Sequence, residues 1–458
     1  MPARAALAPA PPLAQVLTVG ARAWLQLRIG QSLERAAAAA LATEPADRRL
    51  GGAVRDLLYS CARRRALIDA LTERLATRRP EASLEALIGA ALALLLARAY
   101  ADHVVVDQAV VAARAAPAWR NASGFVNATL RGFLRQRAPL IEDCERSDTV
   151  RFNLPAWWLK RMQQRFAADW RDIADSQLGA PPLVLRVNRR RTAVAAYLEQ
   201  LAGAGVAASA LGPSAVWIHQ PRPVGQIPGF DEGSVSVQDA AAQLAAPWLD
   251  AGAGMRVLDA CSAPGGKTAH LLELSDVEVD AVEIDPVRAA RVQPDLERLG
   301  LAGGGDRSPV RIHVADAADP AAFWDGRPYD RILLDAPCTG SGVVRRHPDI
   351  PWLRRNNDVA NLATRQSALL DALWPLLAPA GRLLYVVCSV FAEEGAVQAA
   401  AFAGRHADAR PARLAGCERA TLQLLPQARL VGMARKDAPG SEPDLGDGFF
   451  FALFEKAG

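Results

Sequence analysis

Cysteine is scarce in this sequence. Six stand in 458 residues, at positions 61, 144, 261, 338, 388 and 417, and no two form a C-x-x-C pair. That excludes a disulfide-framed scaffold, and reduced thiols in a cytoplasmic protein are the expectation. The six histidines are scattered, so zinc-ligand spacing is missing and no metal is expected. Residues 84–97 are very apolar but fall short of the roughly 20 residues that cross a bilayer, so no membrane partner is expected. They read instead as a buried helix opened by Ser83 as N-cap, with Glu81 and Glu85 nearby. Near the amino terminus Arg4 is followed by Pro9, Pro11 and Pro12 with no clean apolar segment. The expectation there is a disordered lead into a helix, not a signal peptide.

About half of the chain is apolar (51%), enough for two or three domains with their own cores. The net charge of +4 hides an asymmetry. Residues 1–191 carry 29 Lys/Arg against 17 Asp/Glu, a net +12, whereas the remainder carries 24 against 32, a net −8. A basic half is the electrostatic footprint of a polyanion partner, or a set of ordinary Arg-rich helix faces.

Residues 12 to about 140 show helical apolar spacing and no strand-like alternation. The segment FVNATLRGFLRQR closes them as a basic amphipathic helix, with Phe125, Val126, Leu130, Phe133 and Leu134 on the apolar side and Arg131, Arg135 and Arg137 on or near the other. Between about 145 and 225 the patterns mix: a short basic helix in PAWWLKRMQQRF, a strand at 183–188, then a glycine-terminated helix in TAVAAYLEQLAGAG. Beyond that, strand-like runs at 255–260, 277–284, 310–316, 329–336 and 381–389 alternate with helical stretches. The expected fold is multidomain: all-α over 1–145, a small α+β connector over 146–225, and a doubly wound, mostly parallel α/β Rossmann-like domain over 226–458. In such sheets ligands bind beyond the carboxyl ends of strands, and the unusual residues of this chain fall there.

The first of these strands runs into D-A-C-S-A-P-G-G-K-T, residues 259–268. A phosphate loop needs glycine where Cys261 stands, and the dinucleotide fingerprint G-x-G-x-x-G is absent as well. What remains is a glycine turn from strand into helix. Gly265 and Gly266 let backbone N–H groups approach a ligand, and Lys267 adds a positive charge suited to a carboxylate. The second strand ends with Glu283 and Asp285, where acids accept from ribose hydroxyls, and the third ends at Asp316. Together they describe a pocket for a nucleoside with a carboxylate tail, the anatomy of S-adenosylmethionine.

Two cysteines end two later strands: Cys338 in LLDAPCTGSGVVRRHPDIPWLRR and Cys388 in LLYVVCSVFAEEG. A lone cysteine there is a small buried hydrophobe; a pair invites chemistry. C5 of cytosine is a poor nucleophile toward a sulfonium methyl. Thiolate addition at C6 makes C5 enamine-like, and a second thiol assists release. The attacking thiol needs more thiolate than a free cysteine supplies, for which Lys267 or Arg345 and Arg346 are candidates. Asp335 is placed to hydrogen-bond the base at N3. Arg345, Arg346, His347, Arg354 and Arg355 around Trp352 suit phosphates and a stacked or flipped base, or form a solvated basic loop.

These residues resemble the bacterial small-subunit ribosomal RNA cytosine-5 methyltransferases of the Sun (RsmB) type. PGFDEGSVSVQDAAAQLAA, VLDACSAPGGKTAHLLE, YDRILLDAPCTGSGVVRRHPDIPWLRR, LLYVVCSVFAEEG and DGFFFALFEK carry the resemblance. VDQAVVAARA and GFVNATLRGFLR resemble the end of the NusB-like helical RNA-binding domain of this type. The resemblance implies a class I methyltransferase domain, S-adenosyl-L-methionine as cofactor, 16S ribosomal RNA as partner and a monomer. By motif it makes Cys261, Ser262, Ala263, Pro264, Gly265, Gly266 and Lys267 the cofactor loop. Glu283, where the family usually has Asp, would hold the ribose. Asp316 would lie by the adenine and Asp335 by the methyl and the base. Cys388 would be the nucleophile and Cys338 would serve product release. Val387 and Thr339 depart from the usual Thr and Ser, and both cysteines are spared. Two other readings stay open: an RNA-binding, antitermination-like module with a catalytically weak methyltransferase domain, and an amine methyltransferase, which needs no cysteine pair and often uses an N/D-P-P-Y-type motif absent here.

Overall fold

The computed structural model describes residues 10–76, 78–303, 309–426 and 446–458. They group into two compact units, one of residues 1–164 with 344–355, the other of 165–343 with 356–458.

In the first unit the helical spacing is realised as Leu13–Arg28, Leu33–Leu41, Arg48–Ala62, Arg65–Leu75, Ala82–Ala97, Asp102–Ala115, Ser123–Arg135 and Arg137–Cys144. Their apolar stripes close over one core containing Trp24, Leu58, Leu87, Leu92 and Phe133. Helix Ala82–Ala97 is apolar around its whole circumference and buried along most of its length, as a central helix must be. Its N-cap is Glu81, not Ser83: the Glu81 carboxylate accepts from the Ser83 backbone N–H at 3.1 Å, and Ser83 lies inside the first turn. Either polar residue satisfies an orphan amide, and here the earlier one does. Buried Glu85 is held by Arg28 and Arg79 at 2.8 and 2.9 Å. In Ser123–Arg135, Val126, Leu130 and Phe133 face the core as expected, but Phe125 is exposed. No helix among the described residues is long and apolar enough to cross a membrane.

The short segment 344–355 belongs to this unit although it lies far along the sequence. The Asp349 carboxylate accepts from the Leu33 N–H at 2.9 Å. Arg63 donates to the Arg345 carbonyl at 3.1 Å, and the Arg65 guanidinium lies 5.1 Å from the centre of the Trp352 ring.

The second unit holds two sheets. The smaller is antiparallel, ordered β2-β3-β1-β4, from β1 (Leu183–Val187), β2 (Ala208–Ala210), β3 (Ala215–Ile218) and β4 (Val235–Val237). Helix Val194–Gly203 covers one face, with Tyr197 and Leu201 against Leu185, Val187, Val216 and Ile218. The larger sheet contains β5 (Arg256–Ala260), β6 (Glu278–Glu283), β7 (Val310–Val314), β8 (Tyr329–Asp335), β9 (Leu377–Val387), β10 (Ala409–Pro411), β11 (Thr421–Leu424) and β12 (Phe449–Lys456). Its order is β10-β12-β9-β8-β5-β6-β7, with β11 also paired to β12. The five strands from β9 to β7 are mutually parallel and β12 is antiparallel to β9. Strand order therefore reverses between β5 and β8, which makes a crevice at their carboxyl ends.

Candidate active site

The loop after β5 is shaped by its backbone. The Cys261 and Ser262 N–H groups both donate to the Val282 carbonyl at 2.9 Å, so the loop is stitched to β6. Cys261 adopts φ 71° and Gly265 φ 99°, and the Ala263–Pro264 peptide is cis. At Gly265 a side chain would be strained by φ and would stand 3.1 Å from Val292 Cγ1, so glycine fits both requirements. Gly266 and Lys267 then open helix Gly266–Leu274, whose free N–H groups and dipole favour an anionic group. Ser262 Oγ is buried without a protein partner. The loop's own amides are spent within the protein, with the Gly265 N–H donating to the Ser262 carbonyl at 2.8 Å, so the orphaned Ser262 hydroxyl and the start of helix Gly266–Leu274 are what fit a polar ligand.

The acids stand at the neighbouring strand ends. Glu283, almost fully buried, accepts from the Ala263 N–H at 3.2 Å and the Asp285 N–H at 3.0 Å, and Arg288 approaches to 3.6 Å. Asp285 is an N-cap, accepting from the Val287 and Arg288 N–H groups. Asp316 accepts from the Ala318 N–H and pairs with Arg365. Lys267 Nζ is 2.5 Å from Asp335 Oδ2, bridging the β5 loop and the end of β8 at the reversal of strand order. Burial opposes the Lys267 charge, but Asp335 more than offsets it and holds the ammonium above its ordinary range. Lys267 Nζ also lies 5.7 Å from the centre of the Phe449 ring. Its positive charge is thus matched inside the site.

The sheet register brings the cysteines together. Asp335 on β8 pairs with Val386 on β9, so residues just beyond each strand become neighbours. Cys338 Sγ and Cys388 Sγ are 3.4 Å apart. Cys338 is buried, and the hydrogen bond to Cys388 followed by burial pushes its thiol well above the ordinary range. Cys388 is half-buried. Cys261, by contrast, is pushed up to about 12 by burial and by nearby acids, which keeps it a thiol in the wall of the loop. The two cysteine loops are knitted to the end of the chain: Gly342 N–H donates to the Cys388 carbonyl at 3.0 Å and Gly448 N–H to the Gly342 carbonyl at 2.8 Å. A Cβ on Gly342 would stand 1.9 Å from the Gly448 carbonyl oxygen, so only glycine permits that crossing.

The second unit therefore brings together Cys261 to Lys267, Glu283, Asp316, Asp335, Cys338 and Cys388 around the carboxyl ends of β5 to β9. The run around Trp352 is grouped with the first unit, where Arg345 is buried and Arg65 covers one face of Trp352, so this stretch is not a uniformly solvated loop. Sequence reasoning missed Arg288, Arg365, Gln366 and Glu394. The first two gain meaning only through tertiary ion pairs. Glu394 left one signal, a pair of acids closely following an apolar strand.

Family models match the chain in three stretches: the NusB family over 12–135, the RsmF/B-like ferredoxin-like domain over 154–225, and 16S rRNA methyltransferase RsmB/F over 246–455. Ribosomal RNA small subunit methyltransferase B of Escherichia coli O7:K1 (strain IAI39) is 41% identical over 336 residues, covering 73% of each chain. The Shigella sonnei (strain Ss046) protein of that description matches equally. Among solved structures, PH0851 aligns with TM-score 0.75 and 23% identity over 98% of this chain and 99% of its own. NSun6 from Pyrococcus horikoshii with SFG aligns with TM-score 0.55 and 17% identity over 66% and 98%. These structures share the fold. The architecture is thus a NusB helical domain, a ferredoxin-like connector and a mixed-sheet methyltransferase domain, and the chain belongs to the RsmB/F family of 16S ribosomal RNA methyltransferases.

Proposed function

We propose that this protein methylates C5 of a cytosine in 16S ribosomal RNA with S-adenosyl-L-methionine, and that Cys388 bonds transiently to C6 of the base. The observation that carries the reading is the pair of sulfurs 3.4 Å apart, at the ends of adjacent parallel strands, beside the Lys267–Asp335 pair at the reversal of strand order. The cofactor supplies an electrophilic methyl group on a sulfonium. The loop Cys261, Ser262, Ala263, Pro264, Gly265, Gly266 and Lys267 would hold it through the N-terminal turn of helix Gly266–Leu274 and the unpartnered Ser262 hydroxyl, with the remaining loop residues shaping the wall. Glu283 would accept from the ribose, and Asp316 would border the adenine.

On the base, the Cys388 thiolate adds at C6 and the electron pair moves into the ring, making C5 the nucleophile. Lys267, held by Asp335, stands at the same strand ends as the attacking sulfur. Asp335 meets the N3 edge and favours its protonation as the adduct forms. Once C5 carries the methyl, its proton passes to a water molecule, the C5–C6 double bond re-forms as the C6–S bond breaks with its electron pair returning to sulfur, and N3 gives back its proton. Cys338, kept protonated by its surroundings, donates a hydrogen bond to the departing Cys388 sulfur.

Cys388→Ala is expected to lower methyl transfer at least about a thousandfold while leaving cofactor affinity within about threefold. Cys338→Ala is expected to accumulate an enzyme–RNA adduct, seen as a retarded band on a denaturing gel. Substantial turnover by the Cys388 variant removes the assigned nucleophile, and an active Cys338 variant with no retained adduct removes the release role. Bisulfite sequencing of ribosomal RNA from cells with and without the gene tests the base, and absence of cofactor binding in calorimetry would favour an RNA-binding module instead.

A further inference from the structure

Directly behind the cysteine pair lies a fully buried polar cluster that the chemistry above does not use. Its centre is Glu394, between β9 and helix Ala396–Arg405. One carboxylate oxygen accepts from the Thr339 backbone N–H at 2.8 Å and from Gln366 Nε2 at 3.3 Å. The other accepts from the Thr339 hydroxyl at 2.5 Å and the Ser389 hydroxyl at 2.6 Å. Thr339 follows Cys338 and Ser389 follows Cys388. A single carboxylate therefore holds both residues that flank the reactive sulfurs.

The surrounding bonds extend the clamp. Val390 N–H donates to Ser341 Oγ at 2.9 Å, the two serine hydroxyls of 341 and 389 are 2.8 Å apart, and Phe391 N–H donates to Ser389 Oγ at 3.1 Å. The only consistent direction has Ser341 donating to Ser389 and Ser389 donating to Glu394. Gln366 also donates to the Pro337 carbonyl at 2.9 Å, and the Tyr385 hydroxyl reaches Gln366 Oε1 and the Glu394 carbonyl at 3.0 and 2.5 Å.

We propose that Glu394 is a positioning residue for the reaction: it fastens the Cys338 loop to the Cys388 loop, and so sets the sulfur spacing on which elimination of the base depends. The inference rests on the covalent reading given above. Burial pushes the Glu394 carboxyl above its ordinary range, and the hydroxyl and amide donors offset only part of that. The carboxylate is needed as a pure acceptor, because each oxygen meets two donors. Its charge also acts on Cys338, favouring the thiol over the thiolate.

The test compares the full-length parent with Glu394→Gln, Glu394→Asp and Thr339→Val, using substrate RNA that contains cytosine or 5-fluorocytosine at the target. Glu394→Gln turns one acceptor into a donor facing donors. It is expected to lower kcat about tenfold or more, to leave KM for S-adenosylmethionine within about twofold, and to retain adduct on ordinary cytosine RNA. Thr339→Val removes one tether and should show the same retention more weakly, and it decides the matter if Glu394→Gln does not fold. Glu394→Asp keeps two acceptors and should recover part of the turnover. Release as fast as the parent's in both Glu394→Gln and Thr339→Val overturns the proposal. So does a folded Glu394→Gln that forms no adduct even on 5-fluorocytosine RNA. Failure of the parent itself to form that adduct would sink the covalent reading instead, so the two failures are distinct.

Discussion

Asp259 shows what one residue beneath a site costs and what it stores. It is fully buried at the end of β5; Oδ2 accepts from the Thr268 hydroxyl at 2.5 Å and Oδ1 has no protein partner. Burial pushes its carboxyl up to about 7. The folded chain therefore keeps this proton to a higher pH than the unfolded chain, whose carboxyl ionises near 4. The stability Asp259 contributes is complete below about pH 4 and is lost as pH rises through about 7, with an upper bound of about 4 kcal/mol. Asp259→Asn keeps the shape, is neutral throughout and can present its carbonyl to Thr268. It is expected to match the parent in Tm at pH 5 and exceed it at pH 8. An equal Tm at both values would show that the buried carboxylate carries no such cost.

Between elements, Arg186 joins the small sheet to helix Gly266–Leu274. From β1 its guanidinium meets both Glu273 oxygens at 2.8 and 2.9 Å, and donates to Gln238 Oε1 and the Gly266 carbonyl, each at 2.6 Å. Both partners of the ion pair are essentially unexposed. Arg186→Met should cost about 3–5 kcal/mol, because the Glu273 charge is left stranded. Arg186→Met with Glu273→Leu should recover part of that loss in denaturant titrations. Equal losses would mean that the stranded carboxylate is not the source. Nothing in LVLRVN marks this arginine, since its partner lies 87 positions away. Among the parallel strands, β5, β8 and β9 were legible because strands buried on both faces read as largely apolar runs, whereas half-buried β7 was legible by its alternation. FFFALF, which became β12, is also a continuous apolar run, but with no alternation its periodicity does not separate a strand from a buried helix segment. The loop after β5 and both cysteines were legible as local motifs, whereas Glu394, Arg288 and Arg365 act only through contacts made by the fold.

For the whole molecule the charge asymmetry survives the structural division. The first unit, residues 1–164 with 344–355, carries 27 Lys/Arg against 15 Asp/Glu, a net +12, and the second carries 26 against 34, a net −8. An acidic catalytic unit repels RNA at long range, so capture of a polyanion falls to the basic unit. Counterion release then governs affinity: neutralising Z phosphates gives a slope of log K against log salt of about −0.7Z on single strands and about −0.9Z on duplex. Four or more contacts predict a slope of about −3 or steeper for the full chain on substrate RNA. Cofactor affinity, if it rests on the proposed site inside the second unit, where Lys267 is matched by Asp335, should stay nearly flat over the same salt range. Filter binding for RNA and calorimetry for S-adenosylmethionine, both from 50 to about 200 mM salt, check the pair of expectations. A flat RNA response would mean that the net +12 sits on solvated helix faces and leaves recognition to base contacts in the catalytic crevice.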